Sequence, residues 1–140
     1  MKLVDTNVLV YAVDSSSLHH RVAKHWLDGA LSGGTPVGFA WLALIGFVRL
    51  VTHPTIAARP LQAPDALDVV DAWIGARSAQ LLHPGHRHAS LLRQMLADGA
   101  VANLTNDAHL AALAVEHRAS VVSFDSDFQR FSGVRWERPQ

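Results

Sequence analysis

The chain contains no cysteine among its 140 residues. Disulfides, thiolate metal sites and a thiol nucleophile are thereby excluded, and a reducing cytoplasm is the expected setting. Charge of one sign is also lacking. Twelve basic residues balance twelve acidic ones, so no overall basic excess advertises nucleic acid. Glutamate is scarce: ten of the twelve acids are Asp, and only Glu116 and Glu137 are Glu. The longest apolar run, Phe39 to Val51, is thirteen residues and contains Arg49. A membrane span needs about 20 apolar residues, so this run is expected to be a buried helix. An acid, Asp5, stands where a signal peptide would need its apolar stretch.

What is present is a folding composition, 49% hydrophobic and 17% charged. Leu3-Val4 is expected to be a short buried strand, followed by a polar turn in which Thr6 or Asn7 caps a helix. Val22, Ala23, Trp26, Leu27 and Ala30 recur at helical spacing, and Gly33-Gly34 closes that helix. Further strands are expected at 36–39, 79–82, 121–124 and 134–136. Helices are expected at 40–51, 65–77, 86–98 and 103–118. Alternating strands and helices imply a parallel sheet with helices on both faces. No repeat or linker divides the chain, so a single domain over residues 1–140 is expected.

Three aspartates fall at informative places. Asp5 follows the first strand, Asp125 follows the strand at 121–124, and Asp107 lies in the first turn of the helix at 103–118. Ligand sites in parallel α/β sheets form beyond the carboxyl ends of the strands. Carboxylates brought together there repel unless a cation or proton intervenes. An all-oxygen set of this kind suits Mg²⁺ or Mn²⁺, which would activate a water against a phosphodiester.

Singly, each aspartate has an ordinary explanation in helix capping or turn chemistry; in combination, metal binding is the better reading. Arg21, Lys24 and Arg49 are candidate phosphate contacts, as are Arg87 and Arg93. Arg49, inside an apolar helix, is expected to need a carboxylate or phosphate partner. His83, His86 and His88 cluster in a loop, and a surface role is expected for them rather than zinc binding.

The segments Leu3-Val4-Asp5-Thr6-Asn7-Val8-Leu9, Asp107-Ala108-His109-Leu110-Ala111-Ala112-Leu113-Ala114 and Phe124-Asp125-Ser126-Asp127-Phe128 resemble PIN-domain proteins, specifically toxins of the VapC type. The resemblance covers nearly the whole chain. It implies a PIN-like three-layer α/β/α sandwich with a mainly parallel sheet, and an Mg²⁺- or Mn²⁺-dependent endoribonuclease acting on cellular RNA. It also implies a homodimer neutralised by a cognate VapB-type antitoxin. Asp5, Asp107 and Asp125 match the family's metal-binding acids and Asp127 a more variable fourth, while Thr6 and Asn7 match residues supporting the first.

One departure stands out. The family carries a Glu in the helix after the second strand, where this chain has Gly46. A module that binds RNA or protein without cutting is therefore a competing expectation. A phosphatase or receiver-like domain is disfavoured, because Asn7 stands where a second Asp would be needed and the last lysine is Lys24.

Overall fold

In a computed structural model of the protein, residues 1–97 and 102–140 are described. The strands among these residues are β1 (Lys2–Val4), β2 (Val37–Phe39), β3 (Ala79–Leu81), β4 (Ser120–Val122) and β5 (Trp136–Glu137). Among the described residues six α-helices accompany them: α1 (Thr6–Val13), α2 (His20–Ser32), α3 (Trp41–Val51), α4 (Ala63–Ile74), α5 (His88–Met95) and α6 (Thr105–Glu116). Among the described residues no helix is long and apolar enough to cross a membrane.

The strands form one sheet in the order β3-β2-β1-β4-β5, and every pairing is parallel. The register sets Leu3 beside Gly38 on one side and Val121 on the other. Parallel strands covered on both faces need apolar side chains in both directions, and Leu3, Val4, Val121 and Val122 are all fully buried. Their side chains divide between two cores. One joins Val4 and Val122 to the inner faces of α1, α2, α3 and α4. The other joins Leu3 and Val121 to α6 and to Phe128 and Phe131. This is the three-layer sandwich, with a sheet parallel throughout.

The first core centres on Phe39, Phe47 and Trp73, with the Phe47 and Trp73 rings edge-to-face at 4.7 Å. Burying each such side chain contributes roughly 1.5–3 kcal/mol. That packing, not capping, holds α3, whose N-cap Ala40 offers no side-chain bond. On the other side of the sheet, Ala108, Ala111, Ala112 and Ala114 are buried. Their small side chains favour the helix and let α6 lie close on the strands.

Several sequence expectations are corrected. Asp5 itself, not Thr6 or Asn7, caps α1, accepting from the Thr6 amide at 2.7 Å. The expected helix at 103–118 begins with a 3₁₀ turn, Ala102–Leu104, before α6. The helix expected over 86–98 runs only from His88 to Met95, with Leu96 as its C-cap, and Asp98 lies outside the described residues. The helix over 41–51 is not buried all round: Trp41, Ile45 and Arg49, spaced four apart, form an exposed stripe. Arg49 therefore reaches solvent, and burial does not impose on it the carboxylate or phosphate partner expected above.

Gly46 faces the opposite way, against α1. A Cβ there would stand 2.9 Å from Thr6 Oγ1 and 3.1 Å from its Cγ2. Thr6 is short and its hydroxyl donates to Ala43 O at 3.2 Å, so it cannot swing away freely. Alanine normally gains about 1 kcal/mol over glycine in a helix, whereas overpacking costs roughly 1–3 kcal/mol. Gly46→Ala is expected to lower stability despite its better helix propensity, and denaturant unfolding measures this directly. Equal or greater stability would refute the tight α1–α3 contact.

Candidate active site

The sheet changes winding direction at β1. From β1 the chain proceeds to β2 and β3 on one side, then crosses to β4 and β5 on the other. The carboxyl ends of β1 and β4 are thus the switch point, where α/β sheets open a crevice. Asp5 directly follows β1, and its amide donates to Val122 O, the last residue of β4, at 3.0 Å. Strand pairing thus brings together two residues that are far apart in the sequence.

Ser123 forms the hub of the crevice floor. Its hydroxyl donates to Asp5 Oδ2 at 2.7 Å and accepts from Asn7 Nδ2 at 3.0 Å and from the Asp125 amide at 2.9 Å. Asn7 Nδ2 also reaches Asp5 Oδ2 at 3.2 Å, while Asn7 Oδ1 accepts from the Phe124 amide at 3.1 Å. Asn7 thus stitches the β1 turn to the β4 turn. Thr6 supports Asp5 through its backbone amide, and its hydroxyl ties α1 to α3. Asp125 caps the 3₁₀ turn Ser126–Arg130 and accepts from the Asp127 amide at 2.8 Å. Asp107 enters from the first turn of α6.

The electrostatics report that these groups share one site. Burial, first of all, raises the Asp5 carboxyl above its ordinary value; the bonds from Ser123 and Thr6 pull it back, and the charge of Asp125 raises it further. Asp107 is pushed up to about 6, chiefly by burial, then by the charges of Asp5, Asp125 and Asp127, with Arg130 opposing. Four carboxylates from three chain segments therefore feel one another. Asp5 is buried, Asp107 and Asp125 are half-buried and Asp127 is exposed, so the cluster opens to solvent.

A donor set of carboxylate oxygens in mutual repulsion fits a hard divalent cation. Among the described residues no three acidic or imidazole groups are already drawn in to the spacing of a metal shell. A cation would have to draw the side chains inward.

The candidate cations are less gathered than the acids. Lys24 is exposed and pairs with Asp28 one turn along α2, and Arg21 is exposed on the same helix. Arg130, raised by no sequence argument, acts on Asp107 electrostatically. Ser123 was also missed as a functional residue. A hydroxyl between a β-run and an aspartate signals nothing until strand pairing sets it beside Asp5.

The histidines correct another expectation. His88 is buried, not on the surface; its Nδ1 lies 2.9 Å from Glu116 Oε2 and its Nε2 2.9 Å from His109 Nδ1. Glu116 also accepts from the Gly85 amide at 3.1 Å. His109 thus turns toward α5, away from the acids, and the chain of three side chains clasps α5 to α6.

This fold and acid cluster define a PIN domain, and the PIN domain family model matches residues 2–134. The chain belongs to that family. Within it, the chain is similar to ribonucleases of the VapC group from Mycobacterium tuberculosis. It is 58% identical to Ribonuclease VapC37, over 99% of this chain and 97% of that protein. It is 36% identical to Ribonuclease VapC33, over 99% of this chain and 98% of that protein.

Among solved structures, VapBC2 from Rickettsia felis, bound to a DNA fragment of its promoter, superposes with a TM-score of 0.69 at 16% identity, covering 99% of this chain and 98% of that one. VapC20 from Mycobacterium tuberculosis, a sarcin-ricin-loop-cleaving toxin, gives 0.69 at 17% identity, covering 96% and 99%.

Proposed function

We propose that this chain is the ribonuclease toxin of a toxin–antitoxin pair, hydrolysing phosphodiesters of cellular RNA with Mg²⁺ or Mn²⁺ at Asp5, Asp107 and Asp125. Asp127 is a fourth, outer carboxylate. The observation that carries this reading is the convergence of four acids at the switch point, strong enough to lift Asp107 to about 6. Full-length identity to proteins named ribonucleases supports the substrate class. Complexes of VapC with VapB among the structural relatives support a VapB-type protein as the partner. A homodimer and a cytoplasmic location belong to the same proposal.

The residues divide the work by environment. Asp5, buried and held by Ser123 and Asn7, is the rigid anchor for a cation. Asp107 from α6 and Asp125 after β4 complete the set, and Asp127, exposed, leaves the rim open for a phosphate. A bound divalent cation would supply Lewis-acid stabilisation and an activated water. Arg130 adds positive charge beside a group that must receive an anionic substrate.

The missing Glu does not undo this reading. Gly46 packs on Thr6, so its position serves the α1–α3 contact and leaves the four aspartates to hold the metal.

The deciding experiment uses purified chain free of antitoxin, cellular RNA, and either metal. Cleavage is expected with Mg²⁺ or Mn²⁺, is abolished by EDTA, and falls at least about 1,000-fold in Asp5→Asn, in line with removal of a principal electrostatic group. The circular dichroism of Asp5→Asn should match that of the parent. An inactive parent, or cleavage unaffected by Asp5→Asn, defeats the proposal. RNA binding without metal dependence would favour the non-cutting module instead.

A further inference from the structure

Beside the acid cluster lies a group of rings that the hydrolytic reading does not use. Tyr11 of α1, His19 at the N-cap of α2 and Phe124 after β4 meet in space. His19 stacks on Phe124 with centroids 4.7 Å apart and planes 26° from parallel. Tyr11 lies 5.2 Å from His19 and 5.3 Å from Phe124. The Arg138 guanidinium sits over the Phe124 ring at 5.2 Å, and Nη1 donates to Phe124 O at 3.2 Å.

Tyr11 and Phe124 also pack against the core beneath them, and two features give the cluster a further side. First, its rings are all half-buried, Arg138 is exposed, and the neighbouring Leu18 is 99% exposed. Second, it is fastened to the acid site. Phe124 directly precedes Asp125, and its amide donates to Asn7, the residue that also holds Asp5. His20 Nδ1, 2.8 Å from Tyr11 O, secures the other edge. Tyr11 further walls a cavity of about 690 Å³ between α1, α3 and the loop after it, with Asp14, Ser16 and Arg59 on its lining.

Aromatic rings joined to a cation, and placed next to a phosphodiester site, are the recurring means of holding an unpaired base. We propose that Tyr11, His19, Phe124 and Arg138 form the seat of a nucleobase flanking the scissile phosphate of single-stranded RNA. A base extends the stack that His19 begins on Phe124, and Arg138, held over the Phe124 ring, adds phosphate contacts. Duplex RNA, whose bases are stacked on one another, is excluded from such a seat. The inference rests on the ribonuclease reading for its substrate but identifies positioning residues that do not touch the metal.

The test separates binding from cutting. Single-stranded oligoribonucleotides carrying 2-aminopurine are titrated in EDTA against the Asp5→Asn chain. Stacking is expected to quench the fluorescence, and a duplex of the same sequence should bind less tightly.

Phe124→Leu, which keeps an apolar side chain but removes the ring, and His19→Leu are each expected to weaken binding about ten-fold, within the range of one base–aromatic stack. In the cleaving parent they should raise KM more than they lower kcat and should change the preferred base at one flanking position. Arg138→Gln, at an exposed site, repeats the test without disturbing the core should Phe124→Leu unfold.

Unchanged binding and quenching in both His19→Leu and Arg138→Gln overturn the seat. So does intact RNA binding accompanied by loss of binding to a VapB-type protein, which would make the cluster a protein-docking surface. Quenching by a chain that cuts no RNA would sustain the seat while defeating the nuclease reading.

Discussion

Asp107→Asn is expected to make the metal-free protein more stable at pH 7.5 while abolishing the metal-dependent cleavage proposed for the chain. The Asp107 carboxyl is raised to about 6 from 3.8, mainly by burial and then by Asp5, Asp125 and Asp127. A carboxyl whose folded value exceeds its unfolded value favours the fold only while protonated. Stability from this group is therefore greatest below about 4, is lost as pH rises through about 6, and stays lost at pH 7.5. An amide of the same shape carries no charge and escapes the repulsion. Because Asp107 is partly exposed, solvent screening reduces the gain to on the order of 1 kcal/mol, a rise of about 2–4 °C in Tm.

Thermal unfolding in EDTA at pH 7.5 and pH 4 measures both sides: an increment at the higher pH and little at the lower. Added Mn²⁺ should raise the parent's Tm by mass action and leave the variant nearly unmoved. A variant less stable than the parent at pH 7.5 would contradict the repulsion between these carboxylates.

Metal affinity should fall steeply on mild acidification, well above the pH at which ordinary aspartates protonate. Carboxylate ligands bind metal only when deprotonated, so protons compete for the site. With Asp107 near 6, the apparent Kd for Mn²⁺ is expected to be almost flat from pH 7 to 8. It should rise about ten-fold per pH unit below 6, the slope for one competing proton. Asp5, also raised by its burial, makes the slope steeper at lower pH. Calorimetric titration between pH 5 and 8 checks this. An affinity independent of pH down to 5 would remove Asp107 from the metal site. The same acid limb should appear in the cleavage rate at subsaturating metal and shift to lower pH as metal is raised.

These effects share an origin in the conflict between folding and function. The fold pushes like charges together at a half-buried crevice and loses stability by it. Ser123 and Asn7 offset part of the cost at Asp5 by hydrogen bonding to its charged form. Local choices that run against the fold's own stability are expected where a site requires them. The opposite holds at Gly46, where a residue poor for helix stability gives close approach between α1 and α3.

Much of this was legible along the chain. The alternation of short β-runs with helical periodicity determined an α/β sandwich, because side-chain period follows backbone geometry. Asp5, Asp107 and Asp125 could be singled out because each stands at the carboxyl end of a strand or the start of a helix. The absence of cysteine excluded a thiolate metal site.

Tertiary structure alone decided the rest. Strand order, which local pattern does not encode, set β4 beside β1 and so placed Ser123 and Asp125 against Asp5. Packing turned Arg49 outward and buried His88 on Glu116, since a side chain's surroundings depend on which element covers it. The Tyr11, His19 and Phe124 cluster joins residues more than a hundred positions apart, and no spacing in the sequence could announce it.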